Sequence, residues 1–147
     1  MGHEVGRDTV GAMATLVVPA PLLVHRTYRY CATEACPVVY YGRGGVVLGR
    51  QHVRVPVNAK DSGADVPLCY CFAHTRRSVA EKMDAREGPT SALIAREIEA
   101  GNCACELRNP TGRCCLGDVR RYEKEVAHRP PGTDFARDRK PRSRGGP

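Results

Sequence analysis

The chain has 147 residues, a formal net charge of +7 and 41% apolar residues, with no Trp and only two Phe. That length suits one ordinary domain or two small ones with a tail, and so thin an aromatic complement predicts a small core that needs covalent or metal staples. No stretch approaches the ~18 apolar residues that span a bilayer. The N-terminus is broken by Pro19 and Pro21 and lacks the basic start and unbroken apolar run of a signal peptide. The expected compartment is the cytoplasm, where the eight cysteines stay reduced unless a metal holds them.

Residues 1–60 are rich in Val, Tyr, Gly and Pro and show little helical periodicity. Short strands are expected at 28–30, 38–41, 46–48 and 53–57, the last in alternation with His52, Arg54 and Pro56. Gly42-Arg43-Gly44-Gly45 is the expected hairpin turn. Residues 61–65 read as a polar linker, and the pattern then becomes helical over 66–128. Thr75 is placed to cap a helix running to about Arg86, with Val79, Ala80 and Met83 on one face, and Gly88-Pro89 breaks it. Thr90 or Ser91 should cap a second helix carrying Leu93, Ile94 and Ile98, stopped by Gly101. Asn109-Pro110-Thr111-Gly112 is a strong turn signal, and a third helix is expected from 114–116 to just before Pro130. From 129 to 147 there are six cations and two anions among Pro and Gly, which predicts a disordered basic tail of charge +4. The fold class expected is α+β, a small strand-rich lobe at 1–60 followed by a small helical lobe at 66–128.

No nucleotide-binding glycine loop, nucleophile elbow or defensible carboxylate pair is present, so an enzyme is not expected. The chemistry lies in the cysteines. Cys69-Tyr70-Cys71 stands just before the first helix of the second segment, whose free N–H groups and dipole should stabilise thiolates. Cys103-Ala104-Cys105 and Cys114-Cys115 follow the second helix, and a helical hairpin would return them beside Cys69 and Cys71. Six cysteines then compete for the four places of a thiolate metal centre. Short-range pairs such as these bridge poorly as disulfides.

The run from Val66 to Val119, with Pro67-Leu68-Cys69-Tyr70-Cys71-Phe72 and Cys103-Ala104-Cys105-Glu106-Leu107-Arg108-Asn109-Pro110-Thr111-Gly112-Arg113-Cys114-Cys115-Leu116-Gly117, resembles the N-terminal domain of the copper chaperone CopZ family. Tyr30-Cys31-Ala32-Thr33-Glu34-Ala35-Cys36-Pro37 looks like that family's zinc-site motif, and the resemblance covers roughly residues 5–125. It implies one [2Fe–2S] cluster, one zinc ion, a zinc-ribbon-like first lobe and a cluster lobe similar to bacterioferritin-associated ferredoxin. The implied cluster ligands are Cys69, Cys71, Cys105 and one of the vicinal pair, Cys115 being favoured and Cys114 the alternative, since adjacent residues project in different directions. Cys103 is left as a packed or spare thiol. The implied zinc ligands are Cys31 and Cys36, with His3 or His25 as further candidates. Structural zinc wants four ligands, and the Cys-Pro-x-Cys knuckle that opens the family's set is not in this chain. Nor is the Met-x-Cys-x-x-Cys loop of the family's copper-binding domain.

The function expected is one-electron transfer or redox sensing linked to copper-type metal homeostasis, with a redox protein or a metal-handling protein as partner. Arg76, Arg77, Arg108 and Arg113 would favour the more negative reduced state. The alternative is a zinc-stapled interaction module without redox activity. Nucleic-acid binding ranks last, because the basic run carries no aromatic stacking platform.

Overall fold

The computed structural model of the chain describes residues 2–130; apart from Arg129 and Pro130, the basic tail expected at 129–147 lies outside them. The chain divides into two units, Met1–Asp61 with Ala104–Cys114, and Ser62–Cys103 with Cys115–Pro147. The α+β class is as read from the sequence, with a strand-rich sheet and several helices. Among the described residues no helix is long and apolar enough to cross a membrane.

In the first unit β1 (His3–Gly6), β2 (Thr27–Tyr30), β3 (Val38–Tyr41) and β4 (Val47–Gly49) form an antiparallel sheet in sequence order. Alternation selects the buried face of β2, where Tyr28 and Tyr30 point inward while Thr27 and Arg29 stay exposed. Tyr30 pairs across the strands with Tyr40, their rings edge-on at 6.2 Å. With Val5, Val10, Met13, Val39 and Leu48 these tyrosines make the core that Trp and Phe would otherwise fill. The glycine turn holds as expected, Gly44 and Gly45 taking φ of 72° and 76°.

Two elements here are unforeseen and one local expectation fails. Helix α1 (Arg7–Met13) and strand β1 were not foreseen; the helix is seven residues long, contains Gly11 and has no side-chain cap to announce it. The strand at 53–57 reduces to a single bridge between Ala14 and Val53. Pro56 has no N–H to give a ladder, and the Val57 amide donates to the Asp61 carboxylate at 2.7 Å instead.

The segment 104–114 belongs to this unit. Helix α4 (Cys105–Arg108), also unforeseen, runs into the turn at 109–112, which forms as expected with Gly112 N–H donating to Asn109 O at 2.8 Å. Buried Asn109 uses its side-chain oxygen to accept from both the amide and the hydroxyl of Thr111. The turn is tied to the sheet by Tyr40, whose hydroxyl donates to Pro110 O, and by a 2.8 Å hydrogen bond between His3 Nε2 and Thr111 O. Gly112 sits at φ 67°, and a Cβ there would lie 3.0 Å from Thr9 Oγ1.

The second unit holds the hairpin β5 (Pro67–Cys69) and β6 (His74–Thr75), then α2 (Arg76–Asp84), α3 (Thr90–Glu99) and α5 (Leu116–Ala127). Thr75 caps α2 as expected, and Ser78 completes the reciprocal capping box. The stop differs from the expected Gly88: Arg86 takes the left-handed turn at φ 56°, while α3 ends on Gly101 at φ 76° as read. Neither Thr90 nor Ser91 is the N-cap of α3, because both already lie in its first turn behind Pro89. The capping acceptor comes from α5, where the buried Glu123 carboxylate accepts from Ser91 N–H at 2.9 Å and from its hydroxyl at 2.7 Å.

Replacing Gly112 by Ala should cost at least ~1 kcal/mol, from positive φ and the Thr9 contact together. Urea unfolding followed by circular dichroism measures it. By the same assay Glu123→Ala should destabilise by about 2–3 kcal/mol, since two charge-assisted hydrogen bonds are lost from a buried site.

Candidate metal centre

Cys69 closes β5 and is wholly buried, and the turn that follows carries Cys71 and Phe72, both packed against the helical core. Ala73, at φ 55°, returns the chain into β6. On the other side of the core Cys115 occupies the N-cap position of α5, also buried, and its carbonyl accepts from Val119 N–H at 3.0 Å. The two thiols meet. The Cys115 side chain hydrogen-bonds Cys69 Sγ, and the backbone N–H groups of Phe72 and Cys71 also point at it. The Cys115 contact is the largest influence; with the two N–H groups it outweighs burial and brings the Cys69 thiol down to about 7.

The source of those N–H groups differs from the sequence expectation. The first amides of α2 are already used: Arg76 donates to Val66 O, Arg77 to Ala64 O, and Ser78 to Thr75 Oγ1. It is the hairpin turn, not the helix end, that solvates Cys69. The β5–β6 hairpin left no signature in sequence beyond the Cys-Tyr-Cys spacing itself, since each strand is three residues or fewer.

The remaining cysteines divide by burial and unit. Cys105 is buried at the start of α4 in the first unit, Cys103 is half-buried in the second, and Cys114 is exposed. All eight cysteines are unbridged. In neither unit, among the described residues, do three or more His, Cys, Asp or Glu side chains gather as a site for a single ion.

Cys31 and Cys36 lie at the two ends of the β2–β3 connection. Cys31 N–H extends the ladder to Val39 O at 2.8 Å, and Cys36 N–H closes a turn on Thr33 O at 3.2 Å. Their side chains hydrogen-bond each other. Burial disfavours a Cys31 thiolate, but hydrogen bonds from the Thr33 backbone, the Thr33 hydroxyl and Cys36, with the charge of Lys60, outweigh it and lower the thiol. No sequence motif singles out Lys60, yet this residue is buried to 5% exposure with its ammonium against the loop. The histidines considered as zinc ligands are engaged elsewhere, His3 with Thr111 O and the Tyr30 ring, His25 edge-on to Tyr28.

No protein-family model matches the chain. Among curated proteins it is similar to the copper chaperone CopZ of Archaeoglobus fulgidus, 28% identical over 108 residues that cover 69% of this chain and 52% of that protein. The chain thus spans about half the length of this relative. Among solved structures it is similar to the X-ray structure of the Archaeoglobus fulgidus CopZ N-terminal domain, with a TM-score of 0.66, 25% identity, and coverage of 82% of this chain and 90% of that one. Both comparisons therefore point to a likeness to CopZ, and the solved structure that matches is of its N-terminal domain.

Proposed function

We propose that Cys69, Cys71, Cys105 and Cys115 hold a [2Fe–2S] cluster and that the protein serves one-electron transfer or redox sensing in metal homeostasis. The observation that carries this reading is the buried meeting of Cys69 with Cys115, the first drawn toward the thiolate by that contact and by two turn N–H groups. A lone zinc ion would need four donors at about 2.3 Å, which sets its sulfurs about 3.8 Å apart. A binuclear centre instead divides four thiolates between two irons, and a thiol pair is the unit it requires. Bound there, the cluster supplies reversible uptake of one electron.

The chain's own residues do the rest. The Cys71 and Phe72 N–H groups reduce the negative charge felt at Cys69 and so favour the more reduced state. Leu68, Val79, Ile94 and Val119 keep water from the two buried sulfurs. The preference for Cys115 over Cys114 rests on burial, the first being inside the core and the second exposed. The name of the relative, a copper chaperone, supports a metal-handling protein as partner; a redox partner and a reducing, cytoplasmic setting belong to the cluster reading. We read the protein as a carrier of electrons or metal, not as an enzyme.

Anaerobically purified protein should be brown, with charge-transfer absorbance that dithionite bleaches. Cys→Ala at 69, 71, 105 or 115 should remove most of that absorbance, while Cys103→Ala and Cys114→Ala keep it. A colourless protein with stoichiometric zinc overturns the cluster. Retention in Cys115→Ala with loss in Cys114→Ala overturns the ligand set alone.

A further inference from the structure

The loop between β2 and β3 is where a zinc ion would be sought, and its surroundings suit a different cross-link. Lys60 Nζ donates to Thr33 O at 2.7 Å and to Cys36 O at 3.0 Å, and it also hydrogen-bonds the Cys31 side chain. An ammonium has three N–H donors, so all three are used on this loop. Arg50 adds a second cation, its Nη2 donating to Glu34 O at 3.2 Å and to Lys60 O at 2.6 Å, while Nη1 pairs with Asp61 at 3.3 Å. Loop carbonyls 33, 34 and 36 are therefore all turned onto cations.

Lys60 is itself held in place. Its amide donates to Val57 O at 2.9 Å, and the Asp61 carboxylate that pairs with Arg50 also accepts from Val57 N–H at 2.7 Å. The turn at 57–61 is thus folded to deliver one buried ammonium beneath the two cysteines.

A zinc ion on Cys31 and Cys36 meets three obstacles. Two thiols are half of a closed tetrahedral set. Of the histidines that could complete it, His3 already bonds Thr111 O through Nε2, and among the described residues no third His, Cys, Asp or Glu gathers with the two cysteines. And a divalent cation on Cys31 would stand beside an ammonium already bonded to that sulfur.

We propose that the Lys60 ammonium, and not zinc, closes the Cys31–Cys36 loop, so that the first unit folds without a metal in this place. The ammonium ties the two halves of the loop through the Thr33 and Cys36 carbonyls, the task a structural metal performs in a thiolate knuckle. The cysteines are then dispensable for folding, and the lysine is not. This inference stands apart from the cluster, whose thiols belong to other positions.

The experiment uses the full chain, expressed in zinc-supplemented medium, with zinc and iron per chain measured by elemental analysis and melting followed by circular dichroism. Comparison of the wild type with Cys31→Ser/Cys36→Ser should show unchanged zinc content and a melting temperature shifted by no more than ~3 °C. Lys60→Met keeps the length of the side chain and removes its donors to the Thr33 and Cys36 carbonyls. It should lower the melting temperature by roughly 5–15 °C, or prevent folding altogether. One equivalent of zinc that disappears in Cys31→Ser/Cys36→Ser overturns the proposal, and so does an unchanged melting temperature in Lys60→Met. Iron content reads the other centre separately, so loss of one site is not mistaken for loss of the other.

Discussion

Cys69 and Cys115 meet within a core otherwise built from Leu68, Val79, Ala80, Ile94, Val119 and Val126, and the elements around them are arranged so that the meeting can occur. One sulfur ends a three-residue strand and the other starts a twelve-residue helix. Bringing both inside obliges the chain to reverse within four residues after Cys69, which it does by placing Ala73 in the left-handed region. It also obliges α2 to find capping partners near at hand, and Thr75 with Ser78 supplies them. Burial alone would make such sulfurs inert hydrophobes. The Cys115 contact, with the N–H groups aimed at Cys69, makes the pair chemically distinct.

The strand-rich unit meets a comparable demand with different means. Its core has no Trp, and Tyr28, Tyr30 and Tyr40 fill the space. Each large phenol brings a hydroxyl that must be satisfied, and two of them do so on backbone carbonyls of irregular segments, Tyr28 on Leu22 O and Tyr40 on Pro110 O. The polar ends of the core residues thereby help to fix the path of these two segments. The segment that begins with Cys105 is positioned in this way.

Much of this was legible from residues whose effect is local. Periodicity and turn chemistry located β2, β3, β4, the glycine turn, the 109–112 turn and the bodies of the three longer helices, because each depends on neighbours a few positions away. What escaped depends on partners far along the chain. The α3 cap is a carboxylate 32 residues distant, and the loop at 31–36 is closed by a lysine 24 residues beyond Cys36. The Val53–Val57 pattern misled because alternation reports burial, which Val53 and Val57 do have, without reporting whether a partner strand is available. At the candidate centre, cysteine identity and spacing were readable and the resemblance supplied a ligand set. The contact between Cys69 and Cys115, and the source of the N–H groups on Cys69, were not.

The carboxylate of Glu123 has a consequence for how the helical unit opens. Since the first turn of α3 is completed by a side chain from the middle of α5, neither helix can fray at that point independently of the other. An amide near a helix N-terminus ordinarily exchanges with solvent through local fluctuations. The Ser91 amide is instead bonded to a buried group, so its exchange is tied to the departure of α5 from the core. The start of one helix thus reports the integrity of another, and the two behave as a single cooperative unit.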